Sequence, residues 1–514
     1  MMKSLLFYFK FTNIILFYFL FIYLLILYMS TLILLPNQLY DLKKLKIDYK
    51  KIYLVLHEKY IDRYRYNKNR LIFMFSCIYA FIEEYKVITV DDFKKIALSE
   101  VIQYFDPTDI EIDTQIKMRF KKAEKIESPN FLFTTTELDD YNNRKVTHIN
   151  EEKNKYFNAT FYRWAREKLD VLMKNGKPEG GSFSFDTENR KPFEKSYEEP
   201  KIKLFKNKFY TKAEKYVETN YSNNPGEFTP FLPVTRKEAQ KYFQEFLKKK
   251  LSKFGPYEDA IREDVTIGYH SAISALINIG LLDPKDIVEK TIKYYSTHSV
   301  KIESVEGFLR QIISWREYSR MLYLREHEKF NKQNFFKHKR KINDGWYTGD
   351  TKIYPIDVVI KKALKYAYLH HIERLMLIAN FMLLTRLNPK DCYEWFISIV
   401  SIDAYEWVME PNVYGMGLHS VGTLMMNRPY FSSSNYIQKM STYKSKSGDP
   451  IKLGNEEYTW DEVFDALYYS FINDNQTYLS KIYSTASSVY RMKKIPINEK
   501  NKMIMLAKKY LEKY

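Results

Sequence analysis

From Thr235 to its C-terminus the chain reads as helix after helix, and four of these segments break the usual rule for a helical core. They are Phe254–Asn278, Ser304–Tyr318, Tyr366–Arg374 and Asp403–Met416. Most of them mix Trp or Tyr with Arg, Glu, Asp or Asn on surfaces that should face inward. A buried charge is costly unless paired. One such segment fits an ordinary core with a few satisfied ion pairs. Four together point to helices lining a polar cavity filled by a large aromatic, polar ligand.

The third segment, Tyr-Ala-Tyr-Leu-His-His-Ile-Glu-Arg, places His370 and His371 side by side in a helical pattern carried by Leu369, Ile372, Leu375 and Met376. The whole chain has nine histidines, so the pair is informative. Neighbours on a helix point about 100° apart. Both can therefore meet one cavity only if that helix borders it.

The chain has 514 residues, enough for two or three domains. Its net charge of +18 favours a polyanionic partner, nucleic acid first. Cys77 and Cys392 are the only cysteines, too few for a disulfide framework, a Cys₄ zinc site or an all-Cys iron–sulfur cluster. They suit an intracellular, reducing compartment. Residues 1–28 form a hydrophobic N-terminal extension. It is long enough to span a bilayer and reads either as an anchor or as sequence upstream of the working start at Met29. The cysteines and the charge favour the second reading, with no membrane partner unless 1–28 is retained.

Residues 29–125 alternate strand and helix patterns. Thr31 opens a buried strand, Lys51–His57 and Lys86–Val90 read as strands, and Arg70–Glu84 reads as a helix. This predicts a small, mostly parallel, Rossmann-like α/β domain, although no Gly-x-Gly-x-x-Gly follows the first strand. Residues 126–234 read as a polar, irregular connector with a Gly/Pro-rich loop over Asn175–Pro192. Residues 235–480 form the helical ligand-binding domain, and 481–514 a helical tail.

Several motifs then fall in one order: Leu35-Pro36-Asn37-Gln38-Leu39, Gly180-Gly181…Asp186…Asn189-Arg190-Lys191, Glu306-Gly307-Phe308…Arg310-Gln311…Trp315-Arg316-Glu317-Tyr318, His370-His371…Arg374-Leu375-Met376, and Asp403…Glu406-Trp407-Val408…Pro411-Asn412-Val413…Gly415-Met416. With them the chain resembles the photolyase/cryptochrome superfamily, in particular the bacterial-type (6-4) photolyases often called photolyase-related proteins. The resemblance runs from Thr31 to about Tyr469. It implies an α/β antenna domain followed by an all-helical domain holding a folded FAD. Light would drive an electron to a (6-4) photoproduct flipped out of UV-damaged DNA. The protein would act as a monomer without an obligate protein partner. The alternative is a cryptochrome-like blue-light sensor with the same cavity and no repair.

The resemblance also assigns residues. His371 matches the proton donor to the lesion, with His370 supporting it and Tyr430 on the lesion side. A histidine suits this task because its ordinary pKa lies near neutral pH. His270, Ser271, Gln311, Trp315, Arg316, Asp403 and Asn412 fall in the cofactor-binding motifs. Trp395 matches the tryptophan nearest the flavin in the photoreduction chain, followed by Trp346 and Tyr347, whose order is exchanged relative to the family. Phe396 stands where a redox-active Tyr is often found. Asp186 and Asp259 are candidate Mg²⁺ ligands. Gln38 and Glu58 match contacts to an antenna chromophore of the ribityl-lumazine type. The four cluster cysteines of the family align with Pro355, Lys444, Ser447 and Glu462, so no iron–sulfur cluster is expected and Ser447–Glu457 should form a polar loop.

Overall fold

The computed structural model describes residues 30–46, 49–143, 156–188 and 190–514; the hydrophobic extension 1–28 and Asn189 lie outside the described residues. Among the described residues, no helix is long and apolar enough to cross a membrane.

The chain opens on a five-stranded sheet of order β3-β2-β1-β4-β5, all parallel, with β1 Thr31–Leu34, β2 Lys51–Val55, β3 Ile88–Val90, β4 Ile102–Phe105 and β5 Glu124–Ile126. β1 lies at the centre, and its run Thr-Leu-Ile-Leu is wholly buried. A strand covered on both faces needs continuous apolar sequence rather than alternation. The helix Lys68–Glu84 begins where the Asn67 side chain caps the Asn69 amide, and it packs against the helix Lys208–Asn220. Cys77 lies inside this layer and Cys392 inside the helical half. Both are buried, which pushes their thiols up and leaves them unreactive.

The connector differs from its expectation. It contains the helices Thr135–Asn143, Asn158–Leu169 and Lys208–Asn220 and the small hairpin of β6 Met173–Lys174 and β7 Lys177–Pro178. Polar composition masks these helices because each buries only a narrow stripe, such as Tyr210, Ala213 and Val217.

The helical half starts at Arg236–Lys249, capped by the Thr235 hydroxyl on the Glu238 amide. Pro284–Thr297 and Pro389–Ile399 begin with the sequence-legible pairs Asp283-Pro284 and Asn388-Pro389. The positions Pro355, Lys444, Ser447 and Glu462 lie in local structure of their own. Pro355 sits in the first turn of Tyr354–Tyr366. The Lys444 amide donates to the Ser447 hydroxyl at 2.9 Å, and the Trp460 indole donates to the Lys444 carbonyl at 2.7 Å. Glu462 closes a capping box with Thr459 at the start of Trp460–Leu479. The stretch expected as a polar loop is a β-hairpin, β8 Ile451–Leu453 and β9 Glu456–Tyr458, whose Ile451 and Leu453 point inward.

The two halves are joined by charge. Lys59, 4% exposed, bonds Asp109 at 2.8 Å and Glu406 at 2.9 Å. Arg320 donates to the Phe133 carbonyl at 2.7 Å, and the Ile110 amide donates to the Tyr323 hydroxyl at 3.1 Å. At the carboxyl edge of the sheet, between β1 and β4, the Gln38 amide donates to the carbonyls of Phe105 and Asp106 and accepts from the Leu35 amide. Such an edge is the usual ligand crevice of a doubly wound sheet. Here Gln38 bonds the backbone, and Glu58 is exposed at the start of a short helix.

Candidate functional site

One cavity gathers the predicted residues. His270, Ser271, Gln311, Trp315, Arg316, His370, His371, Asp403 and Asn412 all line it, with about 1440 Å³ of open space inside its walls, including the part that meets solvent. The wall is mixed: apolar Ile273, Ile312, Leu375, Phe396 and Met416 stand among polar groups, with Glu258, Ser274 and Arg374 joining the predicted set.

Three wide helical turns shape the wall: Gln311–Trp315, Glu373–Ala379 and Pro411–Gly417. Each opens the helix to i→i+5 bonding, which shifts side chains around the axis and is common at functional sites. Where two of these turns approach each other, a Cβ at Gly417 would sit 2.9 Å from the Ala379 methyl, so glycine permits the contact.

The histidine pair does not lie inside one helix. Tyr354–Tyr366 ends at Ala367, which takes a left-handed conformation at φ 51°, and helix resumes only at His371. The break gives adjacent residues more freedom to face one cavity than a continuous helix would, where neighbours point about 100° apart. Arg374 holds the intervening loop by donating to the Leu369 carbonyl at 2.7 Å. Its guanidinium also meets both oxygens of Asp403 at 3.0 and 3.1 Å, and Asp403 accepts further from the Ser274 hydroxyl.

His370 is 3% exposed and stacks on His270 with ring centroids 4.7 Å apart. Burial drives both imidazoles well below their ordinary pKa, helped by neighbouring cations. His371 presents its surface to the cavity while set deep in the fold. Burial, with Arg374, pushes it down to about 4. All three rings are thus neutral at pH 7 in the protein alone. Two wall nitrogens, His270 Nε2 and His370 Nδ1, have no hydrogen-bond partner among the described residues. Leaving a buried polar atom unsatisfied costs about 1–3 kcal/mol, so these atoms suit a polar ligand that completes them.

Other predicted residues fall outside the wall. Trp395 is fully buried behind Phe396, which is the residue that lines the cavity; the two rings differ by about one helical step on Pro389–Ile399. Trp395 Nε1 donates to the Trp346 carbonyl at 2.8 Å, the two indoles are 5.8 Å apart, and Tyr347 is 44% exposed. Trp395 and Trp346 are thus in direct contact, and Tyr347, next in sequence, lies at the surface. Tyr430 is half-buried under the Arg428 guanidinium and is not among the lining residues. Asp186 and Asp259 do not form the expected cation pair. Asp186 gives one oxygen to Arg310 at 2.9 Å and the other to Arg190 at 2.7 Å. Against the cost of burial, these arginines hold its carboxyl below the usual range. Two guanidinium groups already neutralise the charge a metal would need. Asp259, by contrast, is pushed up to about 6 by burial and by Asp186.

Sequence reading missed Glu199. Its carboxylate accepts the amides of Thr266, Ile267 and Gly268 at 2.8, 2.7 and 2.7 Å, pinning the loop that delivers His270 and Ser271. Phe193 and Tyr197 of the same strap pack on Tyr269. A hydrogen bond to a charged group contributes about 1.5–3 kcal/mol. Glu199→Ala is expected to raise amide hydrogen exchange at those three positions by about tenfold or more, since about 1.4 kcal/mol corresponds to a factor of ten. No change there would remove Glu199 from this positioning role.

The sequence and the fold agree with known proteins. Residues 32–232 match the family model described as deoxyribodipyrimidine photo-lyase-related protein. A (6-4) photolyase of Agrobacterium fabrum is 36% identical over 320 residues, 62% of each chain. The match thus spans less than two thirds of that relative's length. Among solved structures, a cryptochrome of Synechocystis sp. PCC6803 superposes with a TM-score of 0.55 at 12% identity, covering 80% of this chain and 86% of that one. A bacterial class III photolyase from Agrobacterium tumefaciens gives 0.50 at 14% identity over the same shares. At such identities the structures speak for the fold: an N-terminal parallel α/β unit followed by a helical unit. The chain thus has the photolyase/cryptochrome fold, and over part of its length its sequence is similar to photolyase-related proteins.

Proposed function

We propose that this protein is a light-driven DNA repair enzyme that holds FAD in the cavity and reverses (6-4) pyrimidine–pyrimidone photoproducts. The observation that carries the reading is His371, open to a cavity whose wall also holds the two unpartnered ring nitrogens. The wall fits a flavin dinucleotide: apolar surface for a ring system, amide and hydroxyl groups for its polar edge, and Arg316 and Arg374 for phosphate charge. His270, Ser271, Gln311, Trp315, Asp403 and Asn412 would complete that hold. When bound, the flavin supplies the light-excited electron.

The protein's own residues do the rest. Ile273, Ile312, Leu375 and Met416 exclude water from the reacting centre. Arg374, fixed by Asp403, keeps the 368–370 loop in place so that both histidines face inward. His371 gives a proton to the lesion hydroxyl as its bond to the 5′ base breaks. The oxygen is then delivered to the 3′ base, the proton returns to His371 and the electron returns to its source, so repair is a net isomerisation. With its pKa near 4 in the protein alone, the ring becomes an effective acid at neutral pH only when an anionic group bound beside it raises that value. Proton donation is thereby tied to ligand binding. A damaged base is cheaper to unstack than a normal one, which helps bring the lesion into the cavity.

The test is loss of a (6-4) photoproduct from a synthetic duplex incubated with reduced protein. Loss under blue light and not in the dark supports repair. Flavin that binds and photoreduces with no loss of lesion would instead make the protein a blue-light sensor.

A further inference from the structure

The last 34 residues carry nine Lys or Arg against two Glu, a net of seven out of the chain's +18. They fold into the helices Tyr483–Lys494 and Ile497–Lys513. The first buries Thr485, Val489 and Met492 and turns the opposite face outward. Along that face Tyr483, Ser487, Tyr490 and Lys494 recur at helical spacing, with Tyr483 98% and Tyr490 60% exposed. Lys494 lies over the Tyr490 ring at 4.5 Å. Arg491 and Lys493 are exposed beside the stripe. None of Lys481, Arg491, Lys493, Lys494, Lys500 and Lys502 pairs with a carboxylate among the described residues, whereas Lys508 and Lys509 do.

A lone exposed tyrosine would need no explanation; two on one helix face, in register with unpaired cations, form a contiguous aromatic and basic patch. A chain of contacts links the stripe to the cavity wall, ending at Ser432, next to Phe431; the Ser432 hydroxyl accepts from Asn380 at 3.0 Å, the residue after the wall residue Ala379. Its helix packs on Trp460–Leu479, where the Tyr468 hydroxyl meets the Ser488 hydroxyl at 3.0 Å. Tyr468 packs on Phe431 at 5.5 Å, and Phe431 follows Tyr430 with the exposed Arg428 above its ring.

We propose that the face Tyr483–Ser487–Tyr490–Lys494, with Arg491 and Lys493, binds the backbone of duplex DNA flanking the segment drawn to the cavity. Charge complementarity selects a polyanion, and the hydroxyls and flat rings suit phosphates and sugars. The stripe is about 16 Å long at 1.5 Å per residue, enough to follow a few phosphates of one strand. The identity of the polyanion rests on the repair reading above; the surface itself does not.

The test measures binding of an undamaged 20-base-pair duplex in the dark, across a salt series, so it needs neither light nor turnover. Arg491→Gln, Lys493→Gln and Lys494→Gln together should weaken binding and reduce the slope of log K against log salt by about 2–3, one for each phosphate no longer neutralised. Tyr490→Ala should weaken binding with the slope unchanged. Flavin content and lesion repair at saturating DNA should match the wild type. An unchanged slope and affinity in the triple variant would overturn the proposal. So would equal loss of binding to polyglutamate, since the face would then select acidic protein as readily as DNA. If repair is absent yet the duplex slope falls, the repair reading fails and this one stands.

Discussion

Replacing His371 with Ala is expected to lower the light-driven repair rate by about 10²–10⁴-fold, the usual contribution of a positioned acid, while leaving flavin content unchanged. The residue lines the cavity with its surface open to it, and no hydrogen bond from its ring braces the wall among the described residues. Losing it should therefore cost chemistry rather than architecture. His370→Ala makes the contrast. That ring is buried, stacked on His270 and 3.5 Å from Glu373, so its loss should reduce flavin retention together with activity. The pH profile separates the roles further. In the working complex, repair by the wild type should fall as pH rises through the His371 pKa that the bound anion has raised. His371→Ala should leave a residual rate without that limb. A His371→Ala protein that repairs at the wild-type rate would remove the residue from the chemistry.

The same linkage acts on stability. His270, His370 and His371 all have folded pKa values below the ordinary 6.5. Below about pH 6.5 the unfolded chain binds protons that the folded chain refuses, so their contribution is full above that pH and is lost on acidification towards His371's value of about 4. This acid sensitivity belongs to the cavity without a ligand and should shrink when an anionic one binds.

The cavity was legible in the sequence as chemistry and much less so as geometry. Arg, Asn, Asp and Trp on core-facing helix surface announce a polar pocket whatever their exact rotation, and those residues do line it. The break at Ala367 was hidden because alanine is the best helix former, and nothing local marks it for a left-handed turn. The wide turns were hidden because one extra residue per turn barely disturbs apolar spacing; Gly415 and Gly417 were the only local hint of the third. Phe396 and Trp395 show the limit of matching by motif: these adjacent aromatic residues turn different ways on one helix, and packing decides that Phe396 lines the cavity while Trp395 is fully buried. Glu199 carried no signal at all, since an acidic residue in a polar connector looks solvated until the loop it pins is seen.

Beneath the histidines lies the pair whose loss should hurt stability most. Glu373 is fully buried, and Lys362 is 9% exposed. The ammonium donates to Glu373 at 2.9 Å and to the carbonyls of Arg262 and Val265 at 2.9 and 2.6 Å, which ties Tyr354–Tyr366 to the loop leading to His270. Burial raises the Glu373 pKa even with this cation beside it. Lys362→Met keeps most of the apolar stem and removes the charge, leaving an uncompensated carboxylate and two bare carbonyls. Removing one partner of a buried pair costs about 3–5 kcal/mol, which should appear as a lower denaturant midpoint with an unchanged slope. The sign of its pH dependence is fixed. With the folded pKa raised further above 4.5, the folded variant holds a proton that the unfolded chain has released, so its stability falls as pH rises through that window and recovers on acidification. The variant should therefore lie closest to the wild type near pH ~5 and furthest from it near pH ~8. The double variant Lys362→Met with Glu373→Gln removes the charge as well as its partner, and should recover much of the loss and abolish the pH dependence. If the single variant unfolds at the wild-type midpoint at the alkaline end of that range, the pair contributes nothing, and the histidine loop must be held by Arg374 and Asp403 alone.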